Sequence, residues 1–136
     1  MIQRIQSIWL LLASALGFLT LSFSFYSGTS ASDNRFHVLN GRENLVILVL
    51  TVLTATGAFI AIFLFKKRRL QFRITMLCLL VSILLIVLYF LQVKSFIEGN
   101  YALWAIFSLA MPICFFLAAR GIRRDEKLLK SLDRIR

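Results

Sequence analysis

The sequence predicts an all-α protein: a four-transmembrane-helix bundle, both termini cytoplasmic, with a C-terminal cytoplasmic amphipathic helix. Three observations carry that prediction. Apolar residues make up 60% of the 136, above the ~45–50% usual for soluble domains. They gather into four long runs, and the basic residues lie almost entirely on one set of connections between those runs. A soluble chain of this length cannot hide so much apolar surface, whereas a bilayer needs none of it hidden.

A bilayer core of ~30 Å takes about 20 residues of helix. Four runs qualify: residues 8–26 (IWLLLASALGFLTLSFSFY), 45–65 (LVILVLTVLTATGAFIAIFLF), 74–91 (ITMLCLLVSILLIVLYFL) and 101–119 (YALWAIFSLAMPICFFLAA). None contains Asp, Glu, Lys, Arg or His. The first run, with its charged start and Thr29-Ser30-Ala31 behind it, also has the outline of a cleaved signal peptide. It is long for such a segment and is read as a retained span. Residues 1–136 thus form one integral membrane domain, with 120–136 as its tail.

The connections carry the charge. Of the 16 Lys and Arg, thirteen fall in the N-terminal segment (Arg4), the second connection (Lys66, Lys67, Arg68, Arg69, Arg73) and the tail (Arg120, Arg123, Arg124, Lys127, Lys130, Arg134, Arg136). The first and third connections hold only Arg35, Arg42 and Lys94. Cytoplasmic loops are the ones enriched in Lys and Arg, so both termini are expected in the cytoplasm. KKRRLQFR is then a tight cytoplasmic turn whose cations, with Arg120, Arg123 and Arg124, meet anionic lipid headgroups. No nucleic-acid partner is expected. Trp9 falls near the cytoplasmic boundary, and Tyr26, Tyr89, Tyr101 and Trp104 near the outer one, where such rings prefer to sit.

Helices associate in lipid through close approach, so small residues four apart mark contact faces. Helix 1 offers Ala13 and Gly17. Helix 2 offers Thr54 and Ala58, with Gly57 and Ala61. Helix 4 offers Ala110, Cys114 and Ala118. Helix 3 has only Cys78 and Ser82, so helices 1, 2 and 4 are expected to form the tighter core, with helix 3 more peripheral. Pro112 removes a donor from helix 4 and crowds the Ser108 carbonyl, which predicts a kink.

No Asp, Glu, His, Lys or Arg lies within a span, where proton relays and coupled transport usually place one. The single histidine, His37, is in the first connection. Cys78 and Cys114 are far apart in sequence and outside any Cys-x-x-Cys pattern, which suits small packing residues. No catalytic constellation, metal site or cofactor site is expected, and the chain reads as a non-enzyme.

The first connection, SGTSASDNRFHVLNGREN, has a Ser/Thr/Gly-rich first half and is too short to be a domain. Asn40-Gly41 suits a hairpin turn within FHVLNGRE, or simply leads into helix 2. In the tail, Glu126 and Lys130 make an i,i+4 pair. Leu128, Leu132 and Ile135, broadened by Leu129, share one face of an amphipathic helix. That helix either continues helix 4 or lies on the membrane, and its stripe rests on lipid or on a partner protein.

The two ends, MIQRIQSIWLLLA and RGIRRDEKLLKSLDRIR, resemble those of a family of small bacterial four-span membrane proteins, domain of unknown function 4293, typical of Bacteroidetes. Length and layout match across the chain. The resemblance implies an inner-membrane location and brings no activity or site residues. Two functions remain in view: an accessory or scaffold subunit of a larger membrane complex, or a small oligomeric channel or carrier for lipid or solute. The second would be lined by Thr51, Thr54, Ser82 and Ser108.

Overall fold

The computed structural model describes residues 3–135, with side chains from Ile5 onward. Met1, Ile2 and Arg136 lie outside the described residues, as does the side chain of Arg4. The elements run α1 (Gln3–Ser22), β1 (Ser24–Ser30), β2 (Phe36–Asn40), α2 (Leu45–Phe63), a 3-10 turn (Leu64–Lys66), α3 (Arg68–Val93), β3 (Phe96–Tyr101) and α4 (Ala105–Ile135).

All four helices are long and apolar enough to cross a membrane. Each keeps large apolar side chains on its outer surface, among them Leu11, Leu53, Leu77 and Ile113. Contiguous exposure of this kind is uncommon on soluble monomers and ordinary against lipid. The helices form a closed ring: α1 packs on α2 and α4, and α3 packs on α2 and α4. Within the ring α1 packs most closely, on α4 and α2, and α3 is the more peripheral member, as expected. α3 is a full corner, although it has the smallest buried share of the four spans. Its inward stripe is Gln71, Thr75, Cys78, Ser82, Leu85 and Tyr89. The spacing alternates four and three residues, as a helix seam requires.

Close approach between helices falls where small residues permit it. A Cβ on Gly17 would lie 2.9 Å from the Ala55 Cβ, and one on Gly57 would lie 2.9 Å from the Cys78 Sγ. The middle of the bundle is filled by Leu10, Ala13, Leu16, Ala58, Ala61, Cys78, Met111, Cys114, Phe115 and Ala118. Its hydroxyls mostly turn back onto their own helices. Thr51 Oγ1 donates to the Ile47 carbonyl at 2.7 Å, Thr54 to Leu50 at 2.7 Å, Thr75 to Gln71 at 2.9 Å and Ser82 to Leu79 at 2.7 Å. Ser14 instead crosses to α2, donating to the Ala55 carbonyl at 3.0 Å.

The all-α expectation is corrected by a three-stranded antiparallel sheet, order β2-β1-β3, at the end of the bundle away from the termini. Residues 24–26, read as the end of helix 1, are strand. Tyr101, read as the start of helix 4, ends β3. The chain turns from β1 to β2 through 31–35, with Asn34 at φ 51°. Asn suits that left-handed position better than most residues. Asn40 and Gly41 make no hairpin turn. Gly41 N donates to the Thr20 carbonyl at 3.3 Å, and Asn44 caps α2 by accepting from Val46 N at 2.9 Å. This is the second of the two readings of Asn40-Gly41, the entry to helix 2.

A register irregularity between Ser24 and Tyr26 puts both Phe25 and Tyr26 inside, as a bulge does by breaking strand alternation. Phe25 stacks on Tyr89 with ring centroids 4.6 Å apart, and Tyr26 meets Phe96 and Tyr101 edge-on at 5.2 and 5.1 Å. Tyr26 and Tyr89 are therefore buried packing residues rather than boundary rings, while Tyr101 and Trp104 remain exposed. Gly28 faces Gly99 across the β1–β3 ladder. A Cβ on Gly28 would come within 2.7 Å of the Gly99 Cα.

Candidate functional site

The opposite end of the bundle gathers the basic residues. The second connection is not a loose turn. Its 3-10 turn ends at Lys66, and α3 begins at Arg68, so Arg68, Arg69 and Arg73 project from helix. Arg and Lys are good helix formers, and charge is no barrier to a helix that has left the apolar layer. α4 likewise runs without interruption through Pro112 and on to Ile135. The tail is thus a continuation of helix 4, and Arg120, Arg123 and Arg124 sit opposite the start of α3.

The first turns of this extension belong to the bundle. Ile122 is 1% exposed and Asp125 5%. Gln6 on α1 donates from Nε2 to Asp125 Oδ2, a short contact, and Gly121 leaves room for it: a Cβ there would lie 2.8 Å from the Gln6 Cγ. Asp125 Oδ1 is buried with no hydrogen-bond partner. Glu126 receives Lys130 Nζ at 3.1 Å and Arg69 Nε at 4.0 Å. The Arg123 guanidinium lies over the Phe72 ring, 4.6 Å from its centroid, a cation–π contact.

Two grooves open here. One, of about 650 Å³, lies between α3 and α4, lined by Phe72, Met76, Leu79, Phe116, Ala119, Arg120, Arg123, Arg124 and Lys127. The other, of about 600 Å³, is lined by Lys66, Lys67, Arg68, Arg69, Leu70 and Arg73 with Glu126, Leu129, Lys130 and Asp133. The first has an apolar floor and a wholly cationic rim, and the second mixes both signs of charge. Beyond Asp125 the apolar stripe of the tail is open: Leu128, Leu129, Leu132 and Ile135 are 45%, 44%, 60% and 83% exposed.

The small residues singled out in the sequence lie inside the bundle. Ala13, Ala61, Cys114 and Ala118 are buried, Gly17 meets α2, Gly57 meets α3, and Ala110 packs at the edge of the core. Pro112 is half-buried. Thr51, Thr54, Ser82 and Ser108 are buried, with the first three bonded to their own backbones. Cys78 and Cys114 are free thiols. His37 is exposed on β2. Sequence reasoning missed Gln6, Phe72 and Asp125. The signal for Asp125 was present: Ala118, Ile122 and Asp125 continue the inward stripe of α4 at helical spacing.

A family model described as a domain of unknown function (DUF4293) matches residues 2–135. No curated protein and no solved structure matches the chain.

Proposed function

The chain belongs to the DUF4293 family, and from that premise we propose that it is a non-enzymatic inner-membrane protein, an accessory or scaffold subunit that acts by contact. One observation carries the reading. The bundle interior is packed with apolar side chains, while the basic extension of α4 leaves Leu128, Leu129, Leu132 and Ile135 unpacked beyond it. A partner helix meeting such a stripe reads it through anchors at helical spacing. The segregation of basic residues supports a cytoplasmic placement of this end, with both termini. The cations at the start of α3 and on α4 then rest among anionic headgroups, each contributing about 1 kcal/mol near the surface.

Deletion of 128–136 tests this. The packed part of the extension ends at Asp125–Glu126, so the shortened chain keeps its bundle. Gentle-detergent purification of the tagged protein at native expression is expected to bring a stoichiometric membrane partner with the full chain and none with the deletion. Recovery of the same partner with both removes the tail from the interface.

A further inference from the structure

We infer that the groove between α3 and α4 is a binding site for one anionic phospholipid, its phosphate held by the cationic rim and an acyl chain laid along the apolar floor. This deepens the reading of the basic end as headgroup-facing, and it names a stoichiometric site where that reading names only a diffuse surface.

The two halves of the groove match the two halves of such a molecule. Phe72, Met76 and Leu79 recur along one face of α3, and Phe116 opposes them from α4. From Phe116 to Lys127 the groove wall runs about 16 Å at helical rise, of which the apolar floor, Phe72 to Leu79 on α3, takes about 10 Å, two thirds of one leaflet of a ~30 Å core. It passes from apolar to charged along that length, in the sense a lipid does.

The charge is complementary and unopposed. Arg120, Arg123, Arg124 and Lys127 line the groove, and no acid does. Each described acid of the α4 extension is turned elsewhere. Asp125 is buried against Gln6 of α1, and Glu126 and Asp133 line the other groove. Three of the four cations are Arg, whose fork of donors pairs with phosphate in a bidentate manner. Arg123 is held over Phe72 at the junction of floor and rim, which orients its donors before a ligand arrives.

The probe is tryptophan fluorescence of the full chain in phosphatidylcholine vesicles. Met76→Trp, in a Trp9→Phe, Trp104→Phe background, puts one reporter in the floor. Part of the vesicle lipid is replaced by phosphatidylglycerol or phosphatidylcholine with brominated chains, which quench on contact. Brominated phosphatidylglycerol is expected to half-quench at a mole fraction several times lower than brominated phosphatidylcholine. Arg123→Gln alone is expected to cut that preference about fivefold, the worth of one cation beside an anionic surface. The triple variant Arg120→Gln, Arg123→Gln, Arg124→Gln abolishes it. The control triple Lys66→Gln, Lys67→Gln, Arg68→Gln, in the other groove and its turn, leaves it in place.

Equal quenching by the two lipids overturns the site. Equal loss in the two triple variants overturns it too, because that is the mark of a diffuse field. Displacement of the brominated lipid by millimolar inorganic phosphate assigns the rim to a soluble anion and overturns the lipid. The substituted cations are exposed apart from half-buried Arg68, and unchanged helical circular dichroism confirms that each variant folds. Vesicles carry the probe in both leaflets. Orientation in the cell, and the presence of a protein partner, can therefore fail without touching this result.

Discussion

The two ends of the molecule are built on opposite plans. At the sheet end, β1 is hydrogen-bonded on both sides, the aromatic rings of Phe25, Tyr26, Tyr89 and Phe96 interlock, and glycine faces glycine so that two strands can close. At the basic end, a buried amide–carboxylate contact, the Arg69–Glu126 ion pair and Arg123 over Phe72 link helices that flank two grooves. The first end has a densely packed aromatic interior. The second leaves cations and an apolar stripe unpaired. Open cations beside an apolar stripe are what a ligand or a partner helix can use, so the proposed contacts are placed at the basic end.

The comparison can be broken from either side. The largest expected effect is at the sheet end. Phe25→Ala removes a ring that is 3% exposed and leaves a cavity under β1. It is expected to cost about 3–5 kcal/mol, read as a lowered midpoint of thermal unfolding in detergent. Gly28→Val forces a branched side chain onto the β3 backbone and is expected to cost about 1–3 kcal/mol. Its signature is loss of amide-exchange protection in β1 and β3 ahead of the helices.

At the basic end, Gln6→Ala strips the partner from a buried carboxylate and is expected to cost about 1–3 kcal/mol. Exchange in the α4 extension should rise while the sheet stays protected. Glu126→Gln is the smallest change. Its partners Arg69 and Lys130 are well exposed, and such pairs are worth about 0–1 kcal/mol. An unfolding midpoint near that of the parent chain is expected. A large loss would mean that the basic end is as tightly built as the sheet end.

Legibility in the sequence followed the same divide. The spans and the basic segregation could be read because each is local: a run of apolar residues or a count of charges. The sheet could not, because β3 pairs with β1 from some seventy positions away in the chain. Ser24 to Tyr26 extended an apolar run and so passed for helix, although Ser22-Phe23-Ser24-Phe25 already alternates with the period of a strand. The start of α3 was placed at residue 74 because an apolar criterion excludes Arg68 to Arg73, which are helical all the same. Of the inward stripe of α3, small-residue spacing finds only Cys78 and Ser82, because Gln71 and Thr75 look polar. Intrahelical back-bonding of Thr75 and Ser82 is what lets them face inward. The α3–α4 groove needed two distant segments, around Phe72 and around Arg123, and no spacing in the sequence announces it.

The division of labour between the ends requires that they face different compartments, the basic end inward. Cysteine labelling in intact cells tests this most directly. Ser32→Cys places a thiol in the exposed β1–β2 turn, and Ser131→Cys places one on the exposed tail. The native Cys78 and Cys114 are buried in the bundle and give the background. A membrane-impermeant maleimide is expected to label Ser32→Cys in intact cells and Ser131→Cys only after lysis. Labelling of Ser131→Cys in intact cells, with Ser32→Cys protected, would contradict the assignment of the basic end to the cytoplasm and with it the proposed site of contact.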